Sequence, residues 1–164
     1  MISLVDSQSS TIDTIAFAQR LVRTVMFSSE QFSLVLACCN SGMKQKQILS
    51  MLEEFYPAEI MQMKLASDAK QLYTKIANRC TSIEPQALMV TGLESVIEIN
   101  QLLISANLMR DEFAKQFNFP VILWVNDEII RKMVRIAPDF KDWSTTFRFD
   151  APLREQVSYL PLSA

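Results

Sequence analysis

Gln86-Ala87-Leu88-Met89-Val90-Thr91-Gly92-Leu93-Glu94 is a short apolar run that stops at Thr-Gly and opens a long amphipathic segment. Between Pro85 and Gly92 the run has the length of one strand, and its unbroken apolar character is that of a strand covered on both faces. Such strands belong to parallel sheets with helices on either side. The segment from Glu94, carrying Val96, Ile97, Ile99, Leu102, Leu103 and Ile104, reads as the helix that this buried central strand feeds.

The same succession recurs on both sides. Phe32 to Cys38 is a second apolar run, stopped by Asn40-Ser41-Gly42 and followed by a helical stretch from Met43 to Phe55 that Pro57 ends. Glu59 to Leu65 alternates apolar and polar residues, as a strand at a sheet edge would. A helix over 69–80, with Leu72, Ile76 and Ala77 inward, leads back to Pro85. Downstream, Asn107 to Phe117 continues or follows the helix from Glu94, and Pro120 to Val125 is another buried strand. Asn126 or Asp127 then caps a helix to about Ile136. Ala137-Pro138-Asp139-Phe140 breaks that helix, and Thr146 to Phe149 supplies a last short strand before a tail with Pro152 and Pro161. Upstream, residues 1–10 read as a polar, serine-rich, flexible lead-in, and Ser10 or Thr11 caps a helix to about Phe27 with Ile15, Ala18, Val22, Val25 and Met26 on one face. This alternation predicts a three-layer α/β sandwich, with a mostly parallel five-stranded sheet flanked by helices, as a single domain over 11–164.

Of the 164 residues, 49% are hydrophobic and 21% charged, enough for one sizeable core without metal or disulfide staples. A net charge of −2 gives no global signature for nucleic acid or an anionic membrane. The basic residues Arg131, Lys132, Arg135 and Lys141, with Trp143 for stacking, are interrupted by Asp127, Glu128, Asp139 and Asp142, so a solvated helix face is the preferred reading. There is no histidine, which excludes the commonest general base and the Ser-His and Cys-His nucleophile pairs. Three cysteines, two of them adjacent at 38 and 39, suit a reducing cytoplasm, because neighbours in a strand face opposite ways and cannot bridge without distortion. No apolar run reaches the roughly 20 residues needed to span a bilayer.

Ala87 to Phe149 resembles a segment of bacterial, especially cyanobacterial, proteins in which a degenerate P-loop ATPase-type domain of the STAND/AAA-like group is fused to tetratricopeptide or related repeats. The resemblance is carried by Val90-Thr91-Gly92-Leu93-Glu94, by Asn107 to Phe113, by Pro120 to Asp127, and by Ala137 to Trp143. It implies a P-loop-like sheet in the order 59–65, 86–91, 33–38, 121–125, 147–149, or the variant exchanging the first strand's neighbours. It also implies a nucleotide crevice at the carboxyl ends of the strands, with Gly42 and Lys44 at the phosphate position and Glu94 and Asp127 as metal or water-positioning acids. The sequence departs from the family at two of these places. A phosphate loop has the form G-x-x-x-x-G-K-[ST]; here the first glycine and the hydroxyl residue after Lys44 are missing. The central strand ends in Thr91 where the metal site would carry an acid. The expectation is therefore a non-enzymatic protein-interaction or regulatory module without a cofactor, whose partner is another protein. A nucleotide-binding switch or weak ATPase is the alternative, and a nucleic-acid accessory protein stands behind both. The helix over 10–27 and the apolar tail Val157 to Leu162 are the candidate docking surfaces, with packing in the core the preferred reading of both.

Overall fold

The computed structural model describes residues 4–28, 30–56 and 59–149, with the side chains of the first helix described from Thr14 onward. Its strands are β1 (Ser33–Cys38), β2 (Met61–Lys64), β3 (Leu88–Thr91), β4 (Pro120–Val125) and β5 (Ser144–Arg148). They form one sheet in the order β2-β3-β4-β1-β5, and every pairing is parallel. The helices are α1 (Leu4–Phe27), α2 (Gly42–Phe55), α3 (Leu72–Arg79), α4 (Ile99–Leu108), α5 (Arg110–Gln116), α6 (Asp127–Ile136) and α7 (Pro138–Asp142).

Period-two alternation along the strands divides the core into two layers. Leu34, Leu36 and Cys38 of β1, with Leu88, Val90, Leu123 and Val125, face α3 to α7. Val35, Ala37 and Cys39, with Met89, Ile122 and Trp124, face α1 and α2. The adjacent cysteines thus lie in different layers, as the sequence implied. A run of ring contacts among Tyr73, Phe113, Phe117 and Phe140 fills the thicker layer.

The helix distribution follows from crossover handedness. Right-handed connections that run one way along a parallel sheet lie on one face, and those that run back lie on the other. From β1 the chain crosses to β2 at the far edge through α2, and every later connection returns in the opposite sense through α3 to α7.

The strand order corrects the expectation. The resemblance implied 33–38 beside 86–91, whereas β4 takes that position and β1 lies beyond it. The physical reason is the connection: α4 and α5 join β3 to β4 as immediate neighbours, where the expected order would carry them over β1. β4 is also buried at all six of its residues, which suits the middle of the sheet. Strand β2 lies at one edge, as its alternation indicated, and β5 at the other.

Two helix starts also differ. α1 is helical from Leu4, so Ser10 and Thr11 lie inside a helix instead of capping one, and the lead-in read over 1–10 is helical from its fourth residue. Serine and threonine each cost only a few tenths of a kcal/mol in a helix, and no Gly or Pro interrupts the stretch. On that helix Phe17, Ala18, Leu21, Val22 and Val25 are buried, while Ile15 is exposed. After β3 the chain makes only a 3-10 turn, Leu93–Ser95, and α4 starts at Ile99. Gly92 causes this: it adopts φ 91°, a left-handed conformation, and a Cβ there would lie 3.0 Å from the Leu65 carbonyl oxygen. Pro57, residues 1–3 and the tail 150–164, with its Pro152, Pro161 and apolar stretch 157–162, lie outside the described residues. Among the described residues no helix is long and apolar enough to cross a membrane.

Candidate functional site: the crevice between β1 and β4

Neighbouring strands β1 and β4 send their chains to opposite faces. From β1 the chain enters α2, whose Ile48 and Leu52 pack in the α1 layer, and from β4 it enters α6, whose Ile129 and Met133 pack in the other. In open parallel sheets the gap between the carboxyl ends of two such strands is where ligands bind. The β1–β4 crevice is that gap.

The turn leaving β1 is only Cys39-Asn40-Ser41 long. Cys39 N–H donates to the Val125 carbonyl (2.9 Å), extending the ladder one residue past the strand. Ser41 caps α2, its Oγ accepting from Lys44 N–H at 3.2 Å. On the β4 side, Asn126 caps α6 by accepting from Ile129 N–H at 2.9 Å.

Asp127 lies between the two turns. Its backbone N–H donates to Asn40 Oδ1 and its Oδ2 accepts from Asn40 Nδ2, both at 2.9 Å, so the turns clasp each other through a reciprocal pair. Its other oxygen accepts from Arg148 Nη1, at the end of β5. The buried Cys38 thiol lies 3.5 Å from that oxygen, and Arg148 lies 3.6 Å from Cys38 Sγ. Phe149 N–H donates to the Cys38 carbonyl (2.9 Å), and its ring packs on Phe17 and Trp124. Three strand ends therefore meet on one carboxylate.

The Arg148 guanidinium, followed by the Asn40 amide, holds the Asp127 carboxyl below its ordinary range; partial desolvation opposes this and the Cys38 thiol adds to the lowering. Its position on the first residue of α6 also favours the charged form, through the helix dipole. A carboxylate so held is a poor proton acceptor near neutral pH, since general bases are tuned toward the working pH. The cluster pairs one negative and one positive group, and its chemistry is that of a structural clasp.

The four residues expected at the site divide. Gly42 is the first residue of α2 and Asp127 the first of α6, so both lie at the crevice. Lys44 is on the first turn of α2 and is half-buried; among the described residues it makes no ion pair. Glu94 is exposed in the 3-10 turn after β3, one strand further along the sheet, and has no bond to the other three. Thr91, where an acid would stand, donates its hydroxyl to the Met63 carbonyl (3.4 Å). Asn40, Arg148 and Cys38 were missed. A polar side chain at a strand end was visible at each of 40 and 148, but that both turn toward the carboxylate of Asp127 is a matter of local geometry at the strand ends that the sequence pattern does not carry.

Of the basic residues on α6 and α7, Lys132 pairs with Glu128 at 3.7 Å, and Arg131 and Arg135 are exposed. No described group of His, Cys, Asp and Glu has the makings of a metal site. Compared with models of known protein families and with curated proteins, the chain matches none.

Proposed function

We propose that the chain is a non-enzymatic protein-interaction or regulatory module on a P-loop-ATPase-like scaffold, with a nucleotide crevice closed by its own side chains. The observation that carries this reading is the Asn40–Asp127–Arg148 clasp across the switch point. A phosphate entering there would meet a carboxylate fixed at both oxygens, and would have to take Arg148 from it. The turn that would cradle the phosphate has three residues, and its neighbouring glycine, Gly42, already serves as the first residue of α2. Phosphoryl transfer needs an amide-lined loop, a lysine and a magnesium ligand set together. Of these only Lys44 is in a suitable place. A cytoplasmic setting belongs to the same proposal, on the separation of Cys38 and Cys39 into different layers.

A second reading, a nucleotide-binding switch or weak ATPase, is favoured by Arg148, Lys44 and the α2 N-terminus all belonging to the carboxyl edge of the sheet. In that case the phosphate would draw Arg148 away and free Asp127 for magnesium or water. Thermal shift with ATP-Mg²⁺ and ADP-Mg²⁺ separates the two, because a ligand specific to the folded state raises the melting midpoint. We expect no shift, and no ATP or GTP turnover above that of a Lys44→Ala variant. Turnover that disappears in the variant, or a nucleotide-dependent shift, would establish the switch instead.

A further inference from the structure

In a parallel sheet the helices run back against the strands, so their carboxyl ends gather at the sheet's amino edge, opposite the crevice. Phe27 ends α1, Phe55 ends α2, and Ile83 lies between α3 and β3, which places all three at that edge. They are 91%, 64% and 66% exposed. Met26 and Tyr56, next to the two phenylalanines, pack into the same core layer and so hold the two helix ends on one side of the sheet. The segments 27–32, 53–60 and 79–86, which lead into β1, β2 and β3, hold five glutamates (Glu30, Glu53, Glu54, Glu59 and Glu84) against one base, Arg79. That balance is −4 in a chain of net charge −2. Among the described residues none of the five glutamates forms an ion pair.

Three of these placements work against local stability. Helix carboxyl ends carry partial negative charge and favour bases in the last turn. Helices α3, α5, α6 and α7 each have one there, whereas α1 and α2 have none, and α2 ends with Glu53 and Glu54. Half-buried Glu59 keeps its Oε2 inside without a hydrogen-bond donor among the described residues. Glu30 adopts φ 73°, a left-handed conformation that glycine would take without strain. We propose that this edge, centred on Phe27 and Phe55, docks a basic amphipathic helix of a partner protein. The partner's cations would lie on the acids and on the two negative helix ends, with its apolar anchors over the phenylalanines. A helix is the form that fits, because the end of a parallel sheet offers no strand edge to pair with, and a helix satisfies its own backbone. From β1 to β2 the edge spans three strand spacings, roughly 14 Å. About nine residues of helix cover that distance.

This inference rests on the reading of the chain as a protein-interaction module and names the chemistry of its partner. Fluorescence anisotropy of a labelled leucine–lysine amphipathic helix of about 18 residues, titrated with the full chain, should show saturable binding that weakens as salt rises. The leucine–glutamate counterpart should not bind. Phe27→Ser with Phe55→Ser, and separately Glu53→Gln with Glu54→Gln, should each weaken binding about ten-fold or more. Both double variants should keep the melting temperature, since all four positions are exposed. Ile97→Ser with Leu108→Ser, which removes exposed apolar groups elsewhere, should leave binding intact. Absence of binding, equal binding of the acidic helix, or binding unmoved by either edge substitution would each overturn the proposal. The nucleotide assays above read the opposite edge of the sheet, so failure here leaves the closed-crevice reading standing.

Discussion

Asp127 satisfies groups from three segments with one side chain, and the consequence is a pH dependence of known sign. Its carboxyl titrates below the ordinary value in the folded state. The group therefore adds stability above the unfolded-state value of about 3.9, and that increment is lost as pH falls through the lower folded-state value. The side chain is 40% exposed, so the pair belongs with solvent-screened ion pairs, worth less than about 1 kcal/mol. Denaturant melts of wild type and Asp127→Asn from neutral pH into acid should show a gap that shrinks below about pH 4. A gap independent of pH would mean that the carboxylate charge is not what holds the clasp. The two glycines give a second contrast at this scale. Gly92→Ala forces a Cβ into a left-handed position against the Leu65 carbonyl and should cost about 1–3 kcal/mol. Gly42→Ala meets nothing within 4 Å and should be neutral or stabilising by up to about 0.5 kcal/mol. Chemical denaturation of the two variants checks both; a large loss at Gly42 would show that its backbone is needed for more than starting a helix.

Among the elements, β4 has the most to lose. Its six residues are all buried, and it pairs with β1 on one side and β3 on the other. Leu123→Ala should cost about 2–5 kcal/mol, because cavities in a layer pinned from both faces collapse poorly. Leu123→Asp should prevent folding, since no partner for a charge lies among the Leu36 and Val90 side chains around it. Soluble expression with unchanged melting would contradict the burial. Elements of this kind were legible in the sequence: continuous apolarity identified β1, β3 and β4, and alternation identified β2 as an edge. Lateral order was not legible, because apolar runs of similar length carry nothing that says which lies beside which. Helix ends were partly legible. Asn126 caps α6 as its side chain suggests, whereas Ser10 and Thr11 lie within α1, where the same residue type is merely tolerated. The clasp remained hidden for another reason: both the expected and the observed orders set these three strands side by side, but nothing in the sequence says that Asn40 and Arg148 turn toward the same carboxylate of Asp127.

In the whole molecule, the sheet order and the clasp together determine which part opens first. β4, β1 and β3 are paired on both sides, while β2 and β5 are each paired on one side among the described residues. Amides of the inner strands should exchange with solvent only through global unfolding, and those of the two edges through local opening at lower free energy. The edges differ in how they are secured. β2 is four residues long, and its register against β3 is reinforced by the Thr91 hydroxyl on Met63. β5 is anchored at its carboxyl end through Arg148 on Asp127 and Phe149 on Cys38. Native-state hydrogen exchange on Asp127→Asn should therefore accelerate β5 amides several-fold while leaving β2 unchanged, since the substitution removes a charged anchor at one edge only. Equal acceleration at both edges would show that Asp127 acts through global stability. Unchanged β5 exchange would show that the Phe149 ring, packed between Phe17 and Trp124, holds the strand without the ion pair.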